Sequence, residues 1–260
     1  MHRRLPLPLV GLAAIGAIFV ALPVVALVVR APWGELGEAL GGVGAGSAFR
    51  LSVVVSVAAT VLSVVFGVPL AWVLARGSFP GRSVLRAVVV LPLVLPPVVG
   101  GLGLLFALGR SGVAGRWLHE ALGIQLTFTT WGAIVAATFV SMPLVVIATE
   151  AGLRSIDPRY ELAAATLGAR PSRAMWRVVM PMLAPQVAAG AVLAWARALG
   201  EFGATITFAG NLAGRTQTLP LAVYQARQTD PGGAIFLSLI LVVISIVVLV
   251  SMRHRLTGGR

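Results

Sequence analysis

An arginine and a glutamate four residues apart, Arg197 and Glu201, stand inside an otherwise apolar stretch of about residues 182–208. Ionised side chains at membrane depth are costly and turn toward a bundle interior or a water-filled cavity. On a helix, residues four apart share a face, so the two charges can neutralise each other. Two readings stand. In one the pair is structural. In the other Arg197 lends positive potential to an anion path, with Glu201 holding its orientation. Donors for such a path lie close by: Thr205, Thr207, Asn211, Thr216 and Thr218 offer hydroxyl and amide groups, and interleaved glycines let backbone N–H groups approach. The chemistry this set could do is exchange of an anion's hydration for fixed donors, which is transport rather than bond breaking.

Other chemistry is excluded by what the chain lacks. It has no cysteine, hence no disulfide and no thiolate. All 20 basic residues are arginine. A Walker A motif needs its lysine, so ATP hydrolysis would have to come from a partner. His2, His119 and His254 lie far apart and form no metal-ligand spacing. There are eight acidic residues, no two of them within one apolar run, which argues against a carboxylate dyad or a proton relay. The sequence therefore reads as no enzyme, with no cofactor and no metal.

Composition places these residues in a membrane. The 260 residues are 58% hydrophobic and 11% charged, with mean hydropathy +0.97, whereas soluble domains carry about 25% charged residues. The net charge of +12 is assigned to arginines flanking apolar spans, not to nucleic acid. Uncharged runs cover 5–29, 51–75, 87–109, 121–149 and 231–252. Each exceeds the roughly 20 helical residues that cross a bilayer. With 182–208 they predict six spans, at about 5–29, 51–75, 87–109, 130–150, 182–208 and 231–252, in one all-α transmembrane domain over 1–260. The first is too long for a signal peptide and lacks a small-residue cleavage site, so it reads as an anchor helix. An even number of spans puts both termini on one side. Thirteen arginines flank that side against six on the other, which predicts cytoplasmic termini. The first external loop, 31–49, is Gly-rich and carries Glu35 and Glu38.

The third span reads LPLVLPPVVGGLGL, with Pro92, Pro96, Pro97, Gly100, Gly101 and Gly103 at membrane depth. Such breakers are tolerated only where neighbours or water satisfy the backbone again. It is either a kinked packing helix or a broken helix lining a pathway, where freed amides meet an anion.

Residues 154–181 form the long polar interval between two apolar spans, and DPRYELAAATLGARPSRAMWRVVMP (157–181) carries its own punctuation. Asp157 reads as an N-cap with Pro158 at the first helical position. Glu161 falls in the first turn, where the helix dipole favours it. Leu162 to Ala165 are strong helix formers and Gly168 is a natural stop. A second short helix is expected from about Ser172 to Met180, ending at Pro181. An ordinary amphipathic loop would look similar, but two short helices joined at a glycine, with a small-residue face, suit a groove on another protein.

Ala163-Ala164, Gly168, Val178 and Met180-Pro181 resemble the "EAA" loop of ABC-importer permeases; Leu162 stands where glutamate is usual, with Glu161 one residue earlier. The resemblance implies a coupling helix docking on an ATPase subunit through Glu161, Ala163, Ala164, Ala165, Gly168 and Arg173. Further stretches resemble the molybdate (and tungstate) branch of these permeases: Gly200-Glu201-Phe202-Gly203-Ala204-Thr205, Gly210-Asn211, Thr218-Leu219-Pro220-Leu221-Ala222, Phe79-Pro80-Gly81-Arg82, Leu91 to Pro97, and Gly109-Arg110-Ser111-Gly112. Sulfate and thiosulfate permeases resemble parts of the same region. The resemblance implies a type I ABC importer permease fold in the cytoplasmic membrane. It further implies a homodimer embedded in lipid, two copies of a separate ATPase, an extracytoplasmic oxyanion-binding protein, and alternating access. The pathway candidates are Pro96, Pro97, Gly100, Arg197, Glu201, Thr205 and Asn211. A self-sufficient secondary transporter is the competing class; no internal repeat supports it.

Overall fold

The computed structural model describes residues 6–35, 37 and 44–256. Arg3, Arg4, Glu38 and Arg260, which enter the charge and loop expectations, lie outside the described residues. Among the described residues every regular element is helical. Five helices are long and apolar enough to cross a membrane: α1 (Leu7–Arg30), α2 (Ala45–Arg76), α6 (Thr130–Ser155), α8 (Ser172–Leu199) and α11 (Pro231–Leu256), the last apolar as far as Val248. Shorter helices lie between them: α3 (Arg82–Val94), α4 (Pro97–Leu108), α5 (Gly115–Leu122), α7 (Arg159–Thr166), α9 (Gly203–Phe208) and α10 (Leu219–Thr229).

The centre of the bundle is α6, packed along both α2 and α8. The sequence permits this because the buried stripe of α2 is small: Ala48, Ser52, Ser56, Ala59, Ser63, Gly67 and Ala71 recur at helical spacing. Small residues let transmembrane helices approach where no hydrophobic effect drives them together. A polar pair buried between α2 and α6 is satisfied internally, Ser63 Oγ to Ser141 Oγ at 3.1 Å. By contrast α1 buries no residue and packs mainly on α11. Trp33 fastens its C-terminal end, donating to Val28 O at 3.1 Å and meeting Phe236 edge-on with ring centroids 6.0 Å apart.

The expected third span is broken. Its two parts, α3 and α4, are separated at Leu95 and Pro96. Leu95 precedes a proline and takes the extended conformation that position favours, with ψ 136°. Pro97 then opens α4, where a missing N–H costs nothing. The fifth expected span is divided too: α8 stops at Leu199 and α9 begins at Gly203.

One expectation is corrected. The chain does not end a short helix at Pro181; from Ser172 to Leu199 it is one continuous rod. Pro181 lacks an N–H and its ring crowds the preceding turn. The five residues Met175–Val179 relieve that by forming a π-helical turn, and Met180 N accordingly bonds back to Met175 O.

Candidate translocation and coupling sites

The two breaks meet. A Cβ on Gly203 would stand 2.7 Å from Pro97 Cβ, and one on Gly101 would stand 2.8 Å from the Ala204 carbonyl oxygen. The backbones of α4 and α9 are therefore in contact, and the start of each helix lies beside the other. Gly100, one residue from that contact, is buried with the Phe139 ring of α6 closed over it. Pro96 and Pro97 are exposed on the chain.

Arg197 lies in the last turn of α8 and pairs with Glu201 in the break, Nη1 to Oε2. Glu201 is almost wholly buried, with 1% of its side chain exposed against 30% for Arg197. Its other oxygen, Oε1, accepts a hydrogen bond from Ala204 N at 2.7 Å and so caps α9. One carboxylate thus does two structural jobs while Arg197 stays partly open.

The hydroxyls and amides expected as donors are divided. Thr205 is buried on α9, and its carbonyl receives Ala209 N and Gly210 N. Thr207 donates to Gly203 O at 2.8 Å, within the same short helix. Thr216 holds the next loop, accepting from Leu212 N at 2.9 Å and donating to Gly210 O at 3.2 Å. Asn211 is not gathered to the Arg197 pair; its Nδ2 donates to Gln225 Oε1 at 3.0 Å, which also receives Gln217 Nε2 at 2.6 Å. Thr218 is buried, and its hydroxyl has no hydrogen-bond partner. Among the described residues no group of His, Asp and Glu converges as a metal site would require.

Residues 157–168, the first part of the candidate coupling stretch, fold as their punctuation predicts, with a shift of one residue at the start. Pro158 is the N-cap of α7, and Asp157 Oδ1 accepts from Arg159 N at 2.9 Å. At the other end Gly168 has φ +80°, with Gly168 N bonded to Ala165 O and Ala169 N to Ala164 O. Glycine adopts that left-handed conformation without strain. Leu162 and Leu167 are 64% and 88% exposed, Ala163, Ala165 and Arg173 are exposed as well, and Ala164 is half-buried. Glu161 turns inward, its Oε1 lying 2.9 Å from Arg76 Nη2. The same guanidinium donates to Ile156 O at 3.1 Å.

Residues 63–255 match the family described as the binding-protein-dependent transport system inner membrane component. The chain belongs to that family. It is 50% identical over 263 residues to the molybdenum transport system permease protein ModB of Mycobacterium tuberculosis, covering all of this chain and 98% of that one. It is 37% identical over 206 residues to the sulfate transport system permease protein CysT of Escherichia coli K12, covering 78% of this chain and 74% of that one. Among solved structures it resembles a bacterial alginate ABC transporter in complex with an alginate pentasaccharide-bound periplasmic protein. The TM-score there is 0.71 at 19% identity, over 96% of this chain and 95% of that one. At that identity the likeness speaks for fold. The permease is a multi-pass membrane transport component, not an enzyme.

Sequence reasoning missed the polar network where α2 and α6 end and α3 begins. Arg86 entered only as a flanking charge, and Arg82 as one and as the end of the Phe79-Pro80-Gly81-Arg82 stretch. In the fold Arg82 Nε donates to Leu74 O at 2.7 Å, near the end of α2. Arg86 donates to Leu74 O at 3.3 Å and also pairs with Glu150 on α6. Glu150 receives Arg154 Nη2 as well, at 2.9 Å. The one local signal was Glu150 itself, an acid closing a long uncharged run with an arginine four residues on.

Proposed function

We propose that this chain is the permease subunit of an ABC importer for molybdate, with tungstate as a second substrate. The observation that carries the reading is half-identity over the whole chain with a molybdenum permease, against 37% over part of it with a sulfate permease. The permease acts as a homodimer with two ATPase copies; the ATPase is a separate chain, since this one has no lysine with which to build a nucleotide site. An extracytoplasmic binding protein delivers the oxyanion. Arginine bias supports cytoplasmic termini and a cytoplasmic α7.

In this reading α7, with its exposed leucines and Gly168 stop, is the element that docks on the ATPase. ATP-driven closure moves α7, and the paired chains alternate between inward and outward openings. The contact of α4 with α9 and the adjoining Arg197–Glu201 pair form the constriction, where Arg197 supplies positive potential to the passing oxyanion. The whole chain serves as one transmembrane domain.

Reconstitution into proteoliposomes with an ATPase subunit and a loaded binding protein tests this. ATP-dependent uptake of molybdate, competed by tungstate and poorly by sulfate, is the expected result. Preferential sulfate uptake would reassign the substrate, and uptake without ATP would remove the importer reading altogether.

A further inference from the structure

The geometry points to the Arg86–Glu150 pair as the tie that carries motion of the coupling helix into the broken span α3–α4. Glu150 lies on the last two turns of α6, directly before α7, and its side chain is only 11% exposed. Arg86 reaches it from α3 with two nitrogens and gives a further bond to Leu74 O on α2. The ends of three helices are therefore gathered on one guanidinium. Arg76 does the same for α7 itself, holding Glu161 and Ile156 O. Arg82 ties the start of α3 to α2, donating to Leu74 O at 2.7 Å and Ala75 O at 3.2 Å. The remaining hold of α3 on α6 is apolar, with Leu85 and Val89 packed with Leu74 and Val146. Apolar contacts of this kind fix a helix on its neighbour but are non-directional. A forked, charge-assisted bond fixes its register.

Beyond Val94 the chain passes through Leu95 and Pro96 into α4, whose Gly101 presses on Ala204 of α9. A displacement of α7 and the end of α6 is thereby delivered, through Glu150 and Arg86, to α3 and on to the α4–α9 contact. Arg86 and Glu150 act as positioning residues; neither touches the oxyanion. This rests on the reading of the chain as a permease driven by a separate ATPase. It adds which side chains transmit the drive.

The test uses the full permease–ATPase complex in proteoliposomes, with uptake and ATP hydrolysis measured together. Arg86→Gln and Glu150→Gln are expected to leave membrane abundance, ATPase co-purification and ATP turnover within about twofold of the parent. Uptake per ATP hydrolysed should fall roughly tenfold, the usual size of coupling between two sites. Arg86→Lys, which keeps the charge without the fork, should fall between. An unchanged ratio of uptake to hydrolysis overturns the inference, even if both rates drop together. Failure of both glutamine variants to accumulate overturns it too, because the apolar packing of α3 should then have sufficed. Absence of ATP-driven uptake in the parent complex would instead strike the functional reading on which the inference rests.

Discussion

Glu161 and Arg76 form an ion pair across the base of α7, Oε1 to Nη2 at 2.9 Å. The acid that stands beside the usual position of the loop glutamate is thus spent within the chain, on the end of α2, while Leu162 and Leu167 are left outward. Both side chains keep partial exposure, 30% for Glu161 and 22% for Arg76, so the pair contributes on the order of 1 kcal/mol or less. Glu161→Gln and Arg76→Gln should each lower ATPase co-purification by no more than about fivefold. Leu167→Asp, which places a charge on the outward apolar surface, should abolish it. A co-purification ratio that ranks the variants the other way would place the docking surface on the acid face.

Gly168 separates backbone strain from contact. A Cβ there meets nothing within 4 Å, while φ is +80°. Only conformation should then matter, and asparagine tolerates that region far better than a β-branched residue. Gly168→Asn should hold ATPase association near the parent level, and Gly168→Val should reduce it roughly tenfold, for a cost of about 1–2 kcal/mol. Equal loss in both variants would mean that the ATPase approaches the glycine too closely for any side chain.

Those features of α7 were legible because they are local: a cap, a run of alanines and a glycine stop lie within a dozen residues. The continuity of α8 through Pro181 was not legible, since the relief is a π turn that no residue type announces. The pairing of Arg197 with Glu201 could be read from i,i+4 spacing. The cap that Glu201 gives to α9 could not, because it depends on where α8 stops. Arg86 and Glu150, 64 positions apart, carry no joint signal in one sequence. The breakers of the third span left kink and break equally open; the pair Pro96-Pro97, with an extended residue before it, decided for the break.

The close approach of α4 and α9 predicts a steep dependence on one methyl group. Gly101→Ala puts a carbon 2.8 Å from the Ala204 carbonyl oxygen, and Gly203→Ala puts one 2.7 Å from Pro97 Cβ. Overpacking of this kind costs about 1–3 kcal/mol. Gly103→Ala, two residues along α4, meets nothing within 4 Å and serves as the control. Thermal unfolding of the purified permease should shift down for the first two and stay put for the third. A stable Gly101→Ala would show that the two helices separate readily.

Orientation has its own check. Reporter fusions at Gly77 and Ser155 should signal cytoplasm, and those at Gly115 and Gly214 the outside. Gly214 is the informative site, because it lies in the loop between α9 and α10. A cytoplasmic signal there would place the Arg197–Glu201 pair at the other mouth of the bundle.

Arg197 and Glu201 decide whether the proposed constriction is electrostatic or merely built. Because Glu201 also caps α9 through Ala204 N, alanine at 201 would remove a cap together with a charge. Glutamine keeps the accepting oxygen and is the better probe. Arg197→Met alone strands a buried carboxylate without its counter-charge, a loss of about 3–5 kcal/mol, and membrane abundance should drop. Arg197→Met with Glu201→Gln removes both charges and retains the cap, so abundance should return under either reading. Uptake then separates them. If the pair is structural, transport per permease molecule in the double variant recovers to within a few-fold of the parent. If Arg197 provides the potential an oxyanion meets, transport stays depressed by about tenfold or more, since a positive field along the path raises local anion concentration and entry rate by such factors. The pathway role predicts one further dependence that the structural role does not. In the parent, raising ionic strength should slow uptake by screening Arg197, which is 30% exposed; in the double variant that salt sensitivity should vanish. Recovery of uptake in the double variant, or a salt dependence that persists without Arg197, would assign the arginine to architecture.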